Sequence, residues 1–462
     1  MLAIFLSALD QTIVAVSMST LSVQLGDSHD LAWIISGYLV AMTVSTPLYG
    51  KLGDLYGRRR LLLVAIGWFT VASMLCGFAQ DMPQLIAARV LQGLGAGGLA
   101  TLSQAIIGEL LPPRQRGRYQ GYISGMFALA SVAGPLLGGL LTTWLSWRWI
   151  FWINLPLGLA AWLICRRALR GLALPCHSSH IDYAGALLLI SGLMCLLLAI
   201  SGFGQLQKQT ADAVQITLLC LSVLLLSAFV AQQKRSREPL LPLYLLHERH
   251  PLLSGLVAFF ASLQMIVLTV FIPLRFEMLT SQPADRAALH LLPLVMGVPL
   301  GAYCSGRLIT HLGRYKPQIV FGNLLLPLSI AALACTSLHN AWASGAWMLF
   351  CGAAIGCQFP ASIVSIQTAV SAAHMGVATS TLNLLRSLGG ALGIALMSSV
   401  LVSLLHRAGA DPSLADSGLS GGLAASALDT VFRQLLLIDA ALALPALLAA
   451  LYLPERHLET SH

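Results

Sequence analysis

The chain alternates long apolar runs with short polar breaks. Runs of about 20 mostly apolar residues, the length of a membrane-spanning helix, start near Leu2, Leu31, Leu61, Gln84, Tyr119, Arg148, Tyr183, Val214, Leu252, Ala287, Pro317, Ala343, Gly376 and Val431. The runs are continuous rather than alternating, which predicts helices and excludes a β-barrel. The pattern predicts an all-α polytopic membrane protein with 14 transmembrane helices. No basic segment precedes the first run, so that run reads as an anchor and not as a cleaved signal.

Composition agrees. Of 462 residues, 57% are hydrophobic and 10% charged, with a mean hydropathy of +0.80. A soluble protein carries about 25% charged residues, so a soluble enzyme, a disordered chain and a secreted disulfide scaffold are all disfavoured. Most of the 26 Lys and Arg fall on the side of the N-terminus, including Lys51, Arg58 to Arg60, Arg114 to Arg118, Arg166 to Arg170 and Lys234 to Arg237. The bias of basic residues toward the cytoplasm then places both termini there, in a multi-pass protein. The net charge of +8 is a topology signal. Nucleic-acid binding would need one contiguous basic face, which is absent. Cys176, His177 and His180 form the one metal-like cluster, read as a loop coincidence. No metal and no cofactor is expected.

The runs group as six, two and six. The expected divisions are an N-terminal six-helix bundle over 1–170, a two-helix insert with flanking linkers over 171–240, and a C-terminal six-helix bundle over 241–462. The insert has few polar residues in its spans and reads as lipid-facing. The two sixes are expected to be pseudo-symmetric. Gly50-Lys51-Leu52-Gly53-Asp54-Leu55-Tyr56-Gly57-Arg58 returns, with changes, as Gly306 to Arg314. Further on, Gly93, Gly97, Gly117 and Gly134 match Gly352, Gly356, Gly376 and Gly393 at one constant offset. Duplicated helical halves mark many secondary transporters. The copies differ in charge, since Thr310 stands for Asp54 and Met348 for Arg89.

Polar residues inside spans are the candidates for chemistry. Asp10 lies about 13 Å into the first span, near the bilayer midplane. Ser7, Asp10, Ser17 and Gln24 share one helical face, which is expected to line a polar cavity. A carboxylate there can take a proton or attract a cation; a neutral Asp bonded for packing is the bland alternative. Arg89 and Gln92 share a face of the fourth span ahead of Gly93. Counted along the helices, Arg89 is about 9 Å and Asp10 about 22 Å from the outer side. Coupling through water is therefore expected rather than contact. A structural Arg bonded to carbonyls is the alternative.

Four further groups stand out. In the loop Gly50 to Arg60, the glycines allow a tight turn, and Asp54 can cap a helix N-terminus. Gly50, Asp54, Gly57, Arg58 and Arg59 read as a gating latch, although the arginines alone also serve orientation. Gly134, Pro135, Gly138 and Gly139 allow close helix contact and a kink in the fifth span. Asn383 and Arg386 make a polar site in the C-terminal half, and Arg386 needs partners. Glu277 lies beside Arg275 near an outer end, where the two are expected to interact or snorkel. Asp439 is deep enough to be a second acid, at even odds with a structural role. Trp144, Trp147, Trp149 and Trp152 read as an interfacial aromatic belt.

At these residues the chain resembles the fourteen-helix drug:proton antiporter branch of the major facilitator superfamily. Leu9 to Val14 is similar to the branch's first-helix motif, and Gly50 to Arg59 to the superfamily's loop signature. Arg89 to Gly93 is similar to its Arg-x-x-Gln-Gly element, Gly134-Pro135 with Gly138-Gly139 to the antiporter motif, and Arg148 to Pro156 to a branch-typical run. Ala130 departs from the usual Gly, and Arg275 and Glu277 stand where the branch has uncharged residues.

The resemblance implies that Asp10 takes part in proton coupling or cation recognition and that Arg89 assists proton transfer. It implies that Asp54 and its arginines stabilise the outward-facing state. The fifth-span glycines would shape the interdomain contact and limit leak. A bacterial inner membrane is implied as well. The expected function is proton-coupled multidrug efflux of lipophilic, often cationic, compounds by alternating access, in a protein working as a monomer. The alternative is a proton-coupled exporter of a specific metabolite, peptide or siderophore. A membrane enzyme would need clustered acids, histidines or a metal, and a receptor an attached soluble domain.

Overall fold

A computed structural model describes residues 1–16, 18, 21, 25, 31–170, 182–202, 209–236, 248–280, 289–337, 340–371, 374–409, 425–455, 457 and 458. The cluster Cys176, His177 and His180, the face residues Ser17 and Gln24, and most of the polar loop 406–429 lie outside them.

Among the described residues every element is a helix. These are α1 (Leu2–Val16), α2 (Leu31–Tyr56), α3 (Arg58–Phe78), α4 (Met82–Leu110), α5 (Pro113–Trp144), α6 (Trp149–Trp152), α7 (Asn154–Ala168), α8 (Tyr183–Gly202) and α9 (Gln209–Arg235). They continue with α10 (Arg249–Thr280), α11 (Leu292–Leu312), α12 (Lys316–Cys335), α13 (Ala341–Ala369), α14 (Met375–Arg407), α15 (Ala425–Leu442) and α16 (Leu444–Tyr452). Among the described residues, 11 helices are long and apolar enough to cross a membrane, counting α6 with α7 and α15 with α16 as one each.

Local chemistry sets the boundaries. Asp81 caps α4 by accepting from the Gln84 amide at 2.8 Å, and Asn340 caps α13 at the Ala343 amide. The turn between α2 and α3 passes through Gly57 at φ 92°, and its repeat counterpart Gly313 has φ 63°. Side chains rarely tolerate that region, so both glycines are required by the turn.

The apolar cores form separately. Phe69, Leu99 and Ala161 belong to a cluster drawn from α1–α7, whereas Leu268, Ile330 and Ile355 belong to one drawn from α10–α15. One cluster joins the two sets: Val44 of α2 and Val377 of α14 pack with Leu189, Leu193 and Phe229 of α8 and α9. The α8–α9 pair thus lies over the seam between α2 and α14. Its α9 leaves Val214, Val223 and Leu224 exposed.

Two expectations are corrected here. The tryptophans are not one belt. Trp144 is exposed, but Trp147 is fully buried with Ile150 and Phe151. The turn before α6 tucks Trp147 inward, and Arg148 stacks on its ring at 4.5 Å. The fifth-span glycines also meet a different partner. A Cβ on Gly134 would run into Thr12, and one on Gly138 would lie 2.9 Å from the Ile13 carbonyl oxygen. They serve the α1–α5 contact, not a contact with the C-terminal helices. Thr12 donates across it to Ala130 O at 2.9 Å. Gly139 has open space, and Pro135 is exposed.

Candidate transport site

The N-terminal helices converge on a buried ion pair. Asp10 of α1 and Arg89 of α4 are 0% and 1% exposed, and Arg89 Nη1 donates to Asp10 Oδ2 at 2.6 Å. This overturns the expectation of coupling through water. Counting residues measures depth along each helix but leaves out the length of the arginine side chain. Both residues of the pair have further partners. Gln92 Nε2 donates to Asp10 Oδ1 at 2.8 Å, and Asn154 Nδ2 donates to the same oxygen at 2.9 Å. Arg89 Nη1 also reaches Gln92 Oε1 at 2.6 Å. The guanidinium lies 4.1 Å from the Tyr38 ring centroid. Asn154 continues the network to Ser73 Oγ at 2.9 Å, which donates to Phe151 O.

Six helices, α1 to α4, α6 and α7, are joined by this network, and its local geometry follows from the sequence. Gly93 lets α4 approach α2, because a Cβ there would strike the Tyr38 carbonyl. The break between α6 and α7 puts Asn154 at a helix start in the core. A buried ion pair holds together only with such supporting hydrogen bonds.

The loop residues form a second site, joining the two sets of helices. Asp54 Oδ1 accepts from Arg58 Nη2 at 2.6 Å and from the Gly376 amide at 3.0 Å; Oδ2 accepts from the Val377 amide at 2.9 Å. α14 has no capping side chain of its own, so Asp54 of α2 caps it from the opposite set. Arg58 bridges onward to Glu109 at 2.8 Å. Gly50 and Gly376 let the helices touch: a Cβ on Gly50 would meet Ser380, and one on Gly376 would meet Asp54. Arg59 instead donates to Arg166 O, and Arg60 is exposed.

A matching contact lies at the same end, where α5 meets α11. Gly117 and Gly306 touch there, and Arg114 donates to Thr310 O and His311 O, both at 2.7 Å. Arg116 reaches Gln367 O at 3.4 Å. One layer deeper, Asn383 donates to Gln104 Oε1 at 3.0 Å and Thr101 Oγ1 at 3.3 Å of α4. Arg386 lies one turn beyond, partly exposed, bonded to Phe359 O at 2.8 Å and Ser362 Oγ at 3.0 Å.

The other candidates lie apart. Arg275 does not turn to Glu277; it is buried and bonds Asp429 at 2.9 Å and Leu333 O. Glu277 is exposed on the opposite face of α10. Asp439 is fully buried in α15, remote from the Asp10 network. Sequence reasoning passed over Asn154, Ser73, Gln104, Arg114 and Asp429 as site residues. Asn154 carried a signal, being a polar residue in an apolar run.

These helices, a buried ionic network and helix-capping contacts between two sets of spans define a polytopic membrane transporter, not an enzyme. The chain belongs to the Major Facilitator Superfamily, whose sequence profile it matches over residues 1–394. It is 32% identical over 402 residues to the multidrug transporter protein MdtP of Bacillus subtilis (strain 168), covering 87% of this chain and 74% of that protein. It is 31% identical to the efflux pump dotC of Dothistroma septosporum (strain NZE10 / CBS 128990), covering 100% of this chain and 84% of the pump. Its fold is similar to that of the proton:xylose symporter XylE, with a TM-score of 0.65 at 14% identity, covering 98% of this chain and 94% of that one. The relatives support a general efflux role for small molecules.

Proposed function

We propose that the protein is a proton-coupled multidrug antiporter. It exports lipophilic, often cationic, compounds by alternating access between bundles 1–170 and 241–462, carries 14 transmembrane helices with the pair in 171–240 as an insert, and works as a monomer. Both termini lie in the cytoplasm, and the membrane is the inner (plasma) membrane. The observation that carries the reading is the Asp10–Arg89 pair, buried at 2.6 Å within the N-terminal helices. An intramembrane acid is functional by default.

In this scheme the end closed by Asp54 is the cytoplasmic side. The Asp54 and Arg114 contacts stabilise the outward-facing state. A proton arriving from outside neutralises Asp10, Arg89 loses its counter-ion, and the network relaxes. That differential stabilisation shifts the two-state equilibrium toward the inward-facing form. Cargo and proton competing for the same acidic cavity supply the differential affinity that returns it. The convergent polar groups Asn383, Gln104 and Arg386 favour, as a second reading, a specific metabolite, peptide or siderophore.

The test uses proteoliposomes under a pH gradient. Ethidium addition is expected to release protons from wild type and fewer from folded Asp10→Asn. Equal release from both would make Asp10 structural. No response to ethidium or other cationic dyes would replace drug export with the narrower carrier.

A further inference from the structure

The C-terminal helices hold an acid that the Asp10 network does not use. Asp439 is 0% exposed, and neither carboxyl oxygen has a hydrogen-bond partner among the described residues. It lies about 20 Å from either end of the α15–α16 rod. Its helix neighbours Leu436 and Ala440 pack in an apolar cluster with Met348, Cys351 and Leu268. Gln264 of α10 is also fully buried; its Nε2 donates to the Asp439 carbonyl at 3.1 Å, while its Oε1 has no partner.

The charges around it are spoken for. On the packed helices, Arg275 is held by Asp429 and Arg386 by Phe359 O and Ser362. Arg433, on the same helix, points to Cys335. Cys351 of α13 is the titratable group beside Asp439. Arg249, His250, Lys316, Glu277, His406 and Arg407 sit in the terminal turns of α10, α12 and α14.

The placement parallels the N-terminal network. That network takes Asp10 from the first span of its half, Arg89 and Gln92 from the fourth and Asn154 from the sixth. Gln264, Cys351 and Asp439 come from the first, fourth and sixth spans of the other half. The offset that relates Gly93 to Gly352 puts Met348 at the position of Arg89 and Cys351 at that of Gln92. One half therefore has an acid with a guanidinium, and the other has an acid without one. A lone buried carboxylate with neither cation nor donor is too costly to keep ionised. A proton must take the place of the arginine.

We propose that Asp439 is a second proton-binding site, which holds a proton in the latch-closed state and releases it to water when the C-terminal helices rearrange. Gln264, which holds the Asp439 carbonyl, is the polar side chain tied to this residue. The idea rests on the proton-coupled reading, but its first test does not require transport.

Infrared difference spectra of the purified protein in lipid are expected to show a protonated-carboxyl band at neutral pH. That band should disappear in Asp439→Asn, persist in Asp10→Asn and be lost on raising the pH. Absence of the band at neutral pH, or its survival in Asp439→Asn, would overturn the proposal. In proteoliposomes, protons released per ethidium are expected to fall by about half in Asp439→Asn, one of two carriers being lost. The pH profile should flatten, and Asp439→Glu should restore both. An unchanged ratio and profile in folded Asp439→Asn would also overturn it. If wild type moves no protons with ethidium, the coupling reading fails and the band's pH titration alone decides: titration supports the proton site, its absence refutes it. Should Asp439→Asn misfold, Gln264→Leu is the comparison, and an unshifted titration there counts against the site.

Discussion

Separating Asp10 from Arg89 by mutation should reveal a pair that is worth more intact than halved. At 2.6 Å the direct attraction is about 6 kcal/mol at an effective dielectric near 20. Removing two ions from water costs a comparable amount, so the pair as a whole contributes little net stability. Deleting one member leaves the other buried and uncompensated, at about 3–5 kcal/mol. The two deletions are not equal. Asp10→Asn leaves a guanidinium that cannot deprotonate, though the Tyr38 ring and Gln92 Oε1 remain to it. Arg89→Gln leaves a carboxylate that keeps two donors and can take up a proton. Asp10→Asn should therefore be the more destabilised. The double variant Asp10→Asn/Arg89→Gln has no charge left at this site and should be more stable than either single one. Unfolding midpoints in mixed micelles, arranged as a double-mutant cycle, measure this. Strictly additive losses would refute the coupling, since contacting partners do not add.

Three other outcomes follow from the packing. Asp54→Asn removes the anion that caps α14, worth about 2 kcal/mol, or about 30-fold in the latch equilibrium; maleimide labelling of Ser380→Cys, in a background without exposed native cysteines, should accelerate accordingly, and an unchanged rate counts against the latch. Gly134→Ala forces a methyl into Thr12 and should cost about 1–3 kcal/mol, whereas Gly139→Ala enters open space and should be neutral or slightly stabilising in thermal unfolding; equal effects would contradict the α1–α5 packing. Trp147→Ala should lose about 3–5 kcal/mol as a buried core residue, against under about 0.5 kcal/mol for exposed Trp144→Ala; similar losses would restore the single-belt reading.

The helices were legible because continuous apolar runs have one structural solution in lipid. Each of the described spans begins within a few residues of its expected start, and the Gly57 and Gly313 turns follow from the repeat. Asp54 as a helix cap was legible from its chemistry, but not which helix it would cap, because Gly376 is more than 300 residues away. Asp10 and Arg89 each stood out as charges in apolar runs. Their contact did not, since residue counting fixes depth along one axis and ignores side-chain length and helix azimuth. Asn154 stood out as a polar residue in an apolar run, but the helix break that sets it in the core did not. The pairing of Arg275 with Asp429 rather than Glu277 is set by which face of α10 turns inward, and a two-residue spacing puts the two candidates on different faces.

The two crossings show how repeated sequence segments differ in charge while their glycine contacts persist. The crossing of α2 with α14 uses Gly50 and Gly376, and the crossing of α5 with α11 uses their repeat counterparts Gly306 and Gly117. Small residues keep both crossings close. The charges differ because the helix ends differ. At the first crossing an N-terminus with free amides faces the partner helix, and an anion, Asp54, satisfies it. At the second, Thr310 replaces the acid, so no side-chain anion is available for the start of α5. The contact is made in the opposite sense: Arg114, from the start of α5, binds the carbonyls that end α11. Each pairing complements the local helix dipole. Opening this end must break both at once, since Asp54 and Arg114 tie the same two sets of helices. On the proposed alternating-access reading, that shared dependence is what would let the end open as one element.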